Sequence, residues 1–333
     1  MNIILLLPLL LSFFIVLFLT PVWIKKAREI GLVWEDMNKP KHPKNVAGSG
    51  GISVFLGFIL GTLSYIAIKT FYFKSNDNLI EIFASLSVIL VIAFIGFMDD
   101  LFGWRMGGLS KKSRLILLVF ASIPLIVINA GESSMGGINF GLFYPLLFIP
   151  LGIVGVSATF NFLAGYNGLE ASQGIIILSA LSIITFILGN RWLSVIGLCM
   201  VASLVGFYLF NKYPAKVFPG DVMTYSVGAL IAVIAILGNI EKIAVFFFIP
   251  YILETGLKLR GKLKKQSFAK VNEDGSLEMP YEKIYGLEHL AISILKKIKR
   301  NKKVYEKEVV YLINIFQIFI IILGFIIFRG VLF

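Results

Sequence analysis

The chain alternates long apolar stretches with shorter polar segments. Runs of spanning or near-spanning length fall near 3–22, 50–68, 79–98, 115–130, 143–160, 173–188, 193–210, 222–239, 242–257 and 309–328. About 20 helical residues cross the roughly 30 Å hydrocarbon core of a bilayer. The pattern therefore predicts an all-α, polytopic integral membrane protein with about ten transmembrane helices. The first run lacks the basic start and small-residue cleavage site of a signal peptide and reads as a spanning helix. No internal repeat is visible, nor any pair of broken helices of the kind that marks an inverted-repeat transporter. A single transmembrane domain over 1–333 is expected, with a long basic loop at about 258–308.

Composition strengthens this picture. A chain of 333 residues that is 58% hydrophobic, with 30 Phe and a mean hydropathy of +0.88, holds too much apolar surface for a water-soluble globule. Its one cysteine, Cys199, excludes a disulfide framework and a Cys-based metal site. If ten helices alternate across the membrane, 26 of the 31 Lys and Arg fall on one side. The positive-inside rule makes that side cytosolic and puts both termini outside the cytosol. The net charge of +12 is then explained without nucleic acid, for which no aromatic-basic module is present. In the long loop, Leu287, Leu290, Ala291, Ile294, Leu295 and Ile298 recur at helical spacing beside a basic run from Lys296 to Lys303. This predicts an amphipathic helix, either on the anionic inner leaflet or packed on the protein's own cytosolic face.

Ionisable and amide groups at the ends of apolar helices are costly to place there and mark candidate chemistry. Asp99 and Asp100 close the third apolar stretch; adjacent carboxylates favour a cation or a shared proton, although an acidic pair is also a common solvated cap. The segment from Asn161 to Gln173 is a polar, glycine-containing break without Lys or Arg. Its amides and bare backbone suit a base such as uracil or a hard cation, and exceed what a plain turn requires. Val217-Phe218-Pro219-Gly220-Asp221 opens the eighth stretch, where an Asp is first of all a helix cap. These segments together offer oxygen donors suited to Mg²⁺, with Mn²⁺ as its substitute, shared with phosphates. Among the basic residues Lys111, Lys112, Arg114, Lys258 and Arg260, Lys112 is the first choice for clamping a diphosphate; His289 reads equally as a ligand or a surface histidine.

These motifs resemble the polyprenyl-phosphate N-acetylhexosamine-1-phosphate transferases, glycosyltransferase family 4, over nearly the whole chain, and in particular the dolichyl-phosphate branch. Asn161-Phe-Leu-Ala-Gly-Tyr-Asn-Gly-Leu-Glu-Ala-Ser-Gln173 and Val217–Asp221 are the long motifs; Asp99-Asp100 and Asp36-Met37-Asn38-Lys39 are shorter ones. The resemblance implies that Asn161 and Asp221 hold Mg²⁺ on the diphosphate of UDP-N-acetylglucosamine. It implies that Gly165 and Asn167 contact uracil, that Phe218 stacks on it, and that Asp99, Asp100 and Lys112 serve the lipid phosphate or the reaction. It also implies transfer of sugar-1-phosphate to dolichyl or another polyprenyl phosphate with release of UMP, in the cell membrane, with a homodimer as an assembly to test. Two departures concern sugar recognition. The first cytosolic loop reads Asn45-Val-Ala-Gly48-Ser-Gly50-Gly51 without the glutamate of the eukaryotic enzymes, and His289 stands where related enzymes carry an Arg-His-Arg run or a histidine cluster. The overall composition looks archaeal. A bacterial-type undecaprenyl-phosphate transferase is the near alternative. A transporter would instead place its charges near the membrane midplane, and a scaffold would leave the clusters unexplained.

Overall fold

The structure, a computed structural model, describes residues 3–135 and 138–332. All ten apolar stretches lie on helices. Among the described residues, seven helices are long and apolar enough to cross a bilayer: Ile3–Ile30, Gly51–Tyr72, Leu79–Met106, Leu169–Ile187, Arg191–Asn211, Gly220–Leu237 and Glu306–Ile327. We label the α-helical parts α1 (Leu6–Ile30), α2 (Gly51–Ala67), α3 (Leu79–Met106), α4 (Lys111–Ala121), α5 (Ile123–Val127), α6 (Ile149–Phe160), α7 (Leu169–Ile187), α8 (Arg191–Asn211), α9 (Gly220–Leu237), α10 (Glu241–Phe247), α11 (Ile249–Arg260), α12 (Leu287–Ile298) and α13 (Glu306–Ile327).

Two of the remaining stretches are broken, which corrects the expectation of uninterrupted helices. The first parts between α4 and α5 at Ser122, two residues before Pro124; the other parts between α10 and α11 at Phe248, two residues before Pro250. Proline has no N–H for the helical ladder and its ring crowds the preceding turn, so each break sits where the ladder would fail. Run length and apolarity carry no trace of this.

Helix α9 is the centre of the bundle. Its apolar window is 83% buried against 22% for the first helix, whose Phe14 and Phe18 face outward. Helices α3 and α6 flank α9. Gly96 lets α3 come close: a Cβ there would lie 2.6 Å from the Asp221 carbonyl oxygen. This crossing brings the last turns of α3 onto the first turn of α9.

Strands β1 (Val33–Glu35) and β2 (Lys44–Ala47) form an antiparallel hairpin with Val33 opposite Ala47. Beyond it the backbone docks on the start of α9. Phe218 N–H donates to Ala47 O at 2.8 Å, and Gly50 N–H and Gly51 N–H donate to Phe218 O and Pro219 O at 2.9 and 2.8 Å. A Cβ at Gly50 would sit 2.2 Å from Val217 Cγ2, so only glycine permits this approach.

The predicted amphipathic helix is α12, and it packs on α11 and α13. Leu287, Glu288, His289, Ala291 and Ile292 are buried, and Lys296 and Lys299 pair with Glu278 and Glu308. The helix packs on the protein's own face, as one of its two readings expects. Its exposed side chains are Ile294, Lys297 and Ile298.

Candidate active site

The two adjacent carboxylates of α3 point different ways because successive helical side chains diverge by about 100°. Asp100 turns to the N-terminus of α9 and accepts N–H groups from Asp221 and Val222 at 2.8 and 3.5 Å. It satisfies donors that a helix start leaves orphaned, with the dipole in its favour. Gly220 is essential to this cap, since its φ is +70° and a Cβ would lie 2.1 Å from Asp100 Oδ2. Asp99 is buried, accepts Leu109 N–H at 2.7 Å, and pairs with Arg114 Nε at 2.7 Å.

With Asp100 acting as the cap, the Asp221 side chain is released from that duty. It accepts from Asn161 Nδ2 at 2.9 Å and lies 3.8 Å from Arg114 Nη1. Asn161, just past the end of α6, also accepts from Thr224 Oγ1 at 3.1 Å. Asn161, Asp221 and Asp100 thus line one cavity of about 700 Å³, together with Phe218, Gly165, Trp34, Lys44 and Phe268. A second cavity of about 400 Å³ shares Asn161, Ala164 and Phe268 with it and carries Arg114, Lys111, Lys258, Lys265, Gln266 and Ser267. One cavity is rich in carboxylates and aromatic faces, the other in cations.

Of the residues singled out from sequence, Asp100, Asn161, Gly165, Phe218 and Asp221 line the first cavity, and Asp99 reaches the group through Arg114. Three others lie elsewhere. Lys112 is exposed on α4, whereas Arg114, on the helical face of buried Leu118 and Ala121, meets the aspartates. Asn167 is buried and its amide is fully engaged: Oδ1 accepts from Lys39 Nζ and Ala215 N–H, and Nδ2 donates to Asp36. His289 is fully buried on α12, where Nδ1 accepts Tyr285 N–H at 3.3 Å. Burial, then the Lys258 charge, pushes its pKa down to about 4, and burial raises that of neighbouring Glu288 well above the usual carboxylate range.

Sequence reasoning missed the segment 265–268, which contains no histidine. Its position is set from behind: Lys258 donates to Ser267 Oγ and pairs with Glu254, and Tyr166 donates to Ser267 O at 3.4 Å. The stacked rings of Phe160, Tyr251 and Phe248 hold α11 against α6 and so fix where Lys258 emerges.

Asp221 and Asn161 each carry a hard oxygen of the type that Mg²⁺ accepts; here Asn161 turns Nδ2 to Asp221 and Oδ1 to Thr224, so its amide would rotate to give that oxygen to a cation. Among the described residues no three His, Cys, Asp or Glu side chains form a closed metal cage. A cation here would depend on phosphate oxygens and water for the rest of its shell, so the donors fit a metal that arrives with a diphosphate.

The profile described as Glycosyl transferase family 4 matches residues 82–239, which include Asp99, Asp100, Asn161 and Asp221. A Saccharolobus solfataricus protein provisionally named UDP-N-acetylglucosamine--dolichyl-phosphate N-acetylglucosaminephosphotransferase is 40% identical over 297 residues, 87% of this chain and 88% of its own. Its namesake from Sulfolobus acidocaldarius is 31% identical over 85% of this chain and 86% of its own. A phospho-N-acetylmuramoyl-pentapeptide-transferase of Streptococcus pyogenes serotype M6 is 30% identical over 74% and 76%. The chain belongs to glycosyl transferase family 4 and is a multi-pass membrane protein.

Proposed function

We propose that the protein transfers N-acetylglucosamine-1-phosphate from UDP-N-acetylglucosamine to dolichyl or a related polyprenyl phosphate, the activity of a UDP-N-acetylglucosamine--dolichyl-phosphate N-acetylglucosaminephosphotransferase. The observation that carries this reading is the meeting of Asn161, Asp221, Asp100 and Arg114 at the junction of the two cavities. The names of the archaeal relatives supply the donor and acceptor.

An oxygen of the lipid phosphate forms the new bond to the β-phosphorus of the donor, the bond from that phosphorus to the bridging oxygen breaks, and UMP leaves with that oxygen. Such a displacement requires alignment and charge neutralisation more than covalent help. Phe218 offers an aromatic face to uracil and Gly165 bare backbone. Arg114, anchored on Asp99, presents Nη1 beside Asp221 where phosphate charge accumulates. Lys258, Lys265 and Gln266 give the second cavity donors suited to a sugar phosphate. Mg²⁺ held by Asn161 and Asp221 would neutralise the diphosphate and favour the departure of UMP. An apolar groove of about 410 Å³ runs from Tyr144, in the segment that leads into α6, to Thr159, two residues before Asn161, and suits a prenyl chain. The concentration of Lys and Arg on this face supports a cytosolic site in the cell membrane.

The test is UMP release by purified protein. It should require UDP-N-acetylglucosamine, a polyprenyl phosphate and Mg²⁺ together. Release of UMP at the same rate without the lipid phosphate would identify a hydrolase instead.

A further inference from the structure

Asn38 occupies the turn between β1 and β2, in sequence between the cavity-lining Trp34 and Lys44, and is 2% exposed. Both ends of its amide are used. Nδ2 donates to Gly165 O at 2.9 Å, and Oδ1 accepts Ala269 N–H at 3.2 Å. A carbonyl only accepts and a backbone N–H only donates, so the two partners fix the orientation of the amide. No carboxylate or aliphatic side chain of this length satisfies both.

The two partners belong to the loops that meet between the cavities. Gly165 has φ +100°, and a Cβ on it would lie 2.8 Å from the Phe268 ring, so the two loops are already in contact. Side-chain hydrogen bonds across this contact set its spacing. The hairpin is itself held firmly, since Lys39 pairs with Glu306 on α13 and with Asp36.

We propose that Asn38 is a positioning residue that fixes the gap between the loop holding Gly165 and the loop holding Phe268, and thereby sets how tightly the sugar nucleotide is gripped. The inference rests on the donor assignment made above, but its structural half does not. Asn38→Asp is isosteric, keeps the acceptor for Ala269 and sets an anion against the Gly165 carbonyl; Asn38→Ala removes both bonds. Each should raise the KM for UDP-N-acetylglucosamine about tenfold while leaving the lipid-phosphate KM within about twofold and kcat within about threefold. Hydrogen exchange in the ligand-free protein should rise about tenfold or more in both 163–168 and 266–270 in Asn38→Ala, and in 163–168 in Asn38→Asp. Unchanged exchange in 163–168 in both variants overturns the brace whatever reaction the protein catalyses. Raised exchange with an unchanged donor KM overturns its role in donor binding. A fall in kcat alone, or both KM values rising together, assigns Asn38 to general stability. Wild-type protein inactive on UDP-N-acetylglucosamine would sink the donor reading, and the exchange measurement would still decide the brace.

Discussion

The helix-end cluster and the long loop are built from the same kinds of residue and behave in opposite ways. In the first, Asp100, Asn161 and Asp221 stand near the ends of α3, α6 and α9, whose packing brings them to one cavity, with Asp99 joined to them through Arg114. In the second, His289 turns into the protein while the unremarkable run Lys265-Gln266-Ser267-Phe268 reaches the cavity. A side chain at the end of a membrane helix has its depth set by the span and its direction by helical periodicity. A loop side chain has neither constraint, and tertiary hydrogen bonds such as Lys258 to Ser267 decide where it goes.

The sharpest test of the helix-end cluster is Asp221→Asn. Asp100 caps α9, so the variant should fold like the parent, yet it loses an anionic donor beside Asn161. We expect activity to fall by orders of magnitude, with any residual rate demanding more Mg²⁺. Adding Asn161→Ala should cost much less than its single loss, because residues that serve one ion act as a unit. Full activity in folded Asp221→Asn, or additive losses, would remove the shared-ion assignment.

A smaller effect separates Arg114 from Lys112. Arg114→Gln would leave buried Asp99 unpaired, a loss of about 3–5 kcal/mol in stability, so Arg114→Lys is the cleaner probe. It keeps the charge and loses the planar fork that reaches Asp99 and Asp221 together. About tenfold or more should be lost in kcat/KM, against less than twofold for Lys112→Gln. The reverse order would return the basic role to Lys112.

This pair also shows what was legible. Helical periodicity from Leu118 and Ala121 selects Arg114 for the inward face and Lys112 for the outward one, so the signal that separates them is present in α4. The helices and the three motif clusters followed from apolar runs and residue type. The capping role of Asp100 did not, since it depends on the Gly96 crossing and on the left-handed Gly220. Nor did the use of Gly50 and Gly51 as a docking edge for Phe218, which is a pairing across about 170 residues.

Phe218 is held by backbone bonds to Gly50 and Ala47, and an aromatic platform contributes about 1–3 kcal/mol per stacked base. Phe218→Ala should raise the UDP-sugar KM about fivefold or more with little change in kcat. An unchanged KM would make Phe218 a packing residue and move the base elsewhere in the cavity.

The smallest effect lies in the long loop and concerns stability instead of catalysis. His289 is fully buried, its folded pKa is pushed down to about 4, and an unfolded histidine titrates near 6.5. Between those values the unfolded chain takes up a proton that the folded protein refuses, so His289 weakens the fold progressively as pH falls from about 6.5 to about 4. The slope is at most about 1.4 kcal/mol per pH unit. Glu288 acts in the other direction: its raised pKa keeps the folded carboxyl protonated, a contribution lost as pH rises from about 4.5. The net pH profile therefore mixes opposed contributions, and His289→Asn isolates one. Relative to the parent, the variant should gain a few degrees in Tm between pH 7 and pH 4.5. Its donor KM at pH 7.5 should not change, since His289 lines neither cavity. A Tm difference independent of pH would mean that the folded protein protonates His289 freely, and a raised donor KM would bring the histidine back to the sugar.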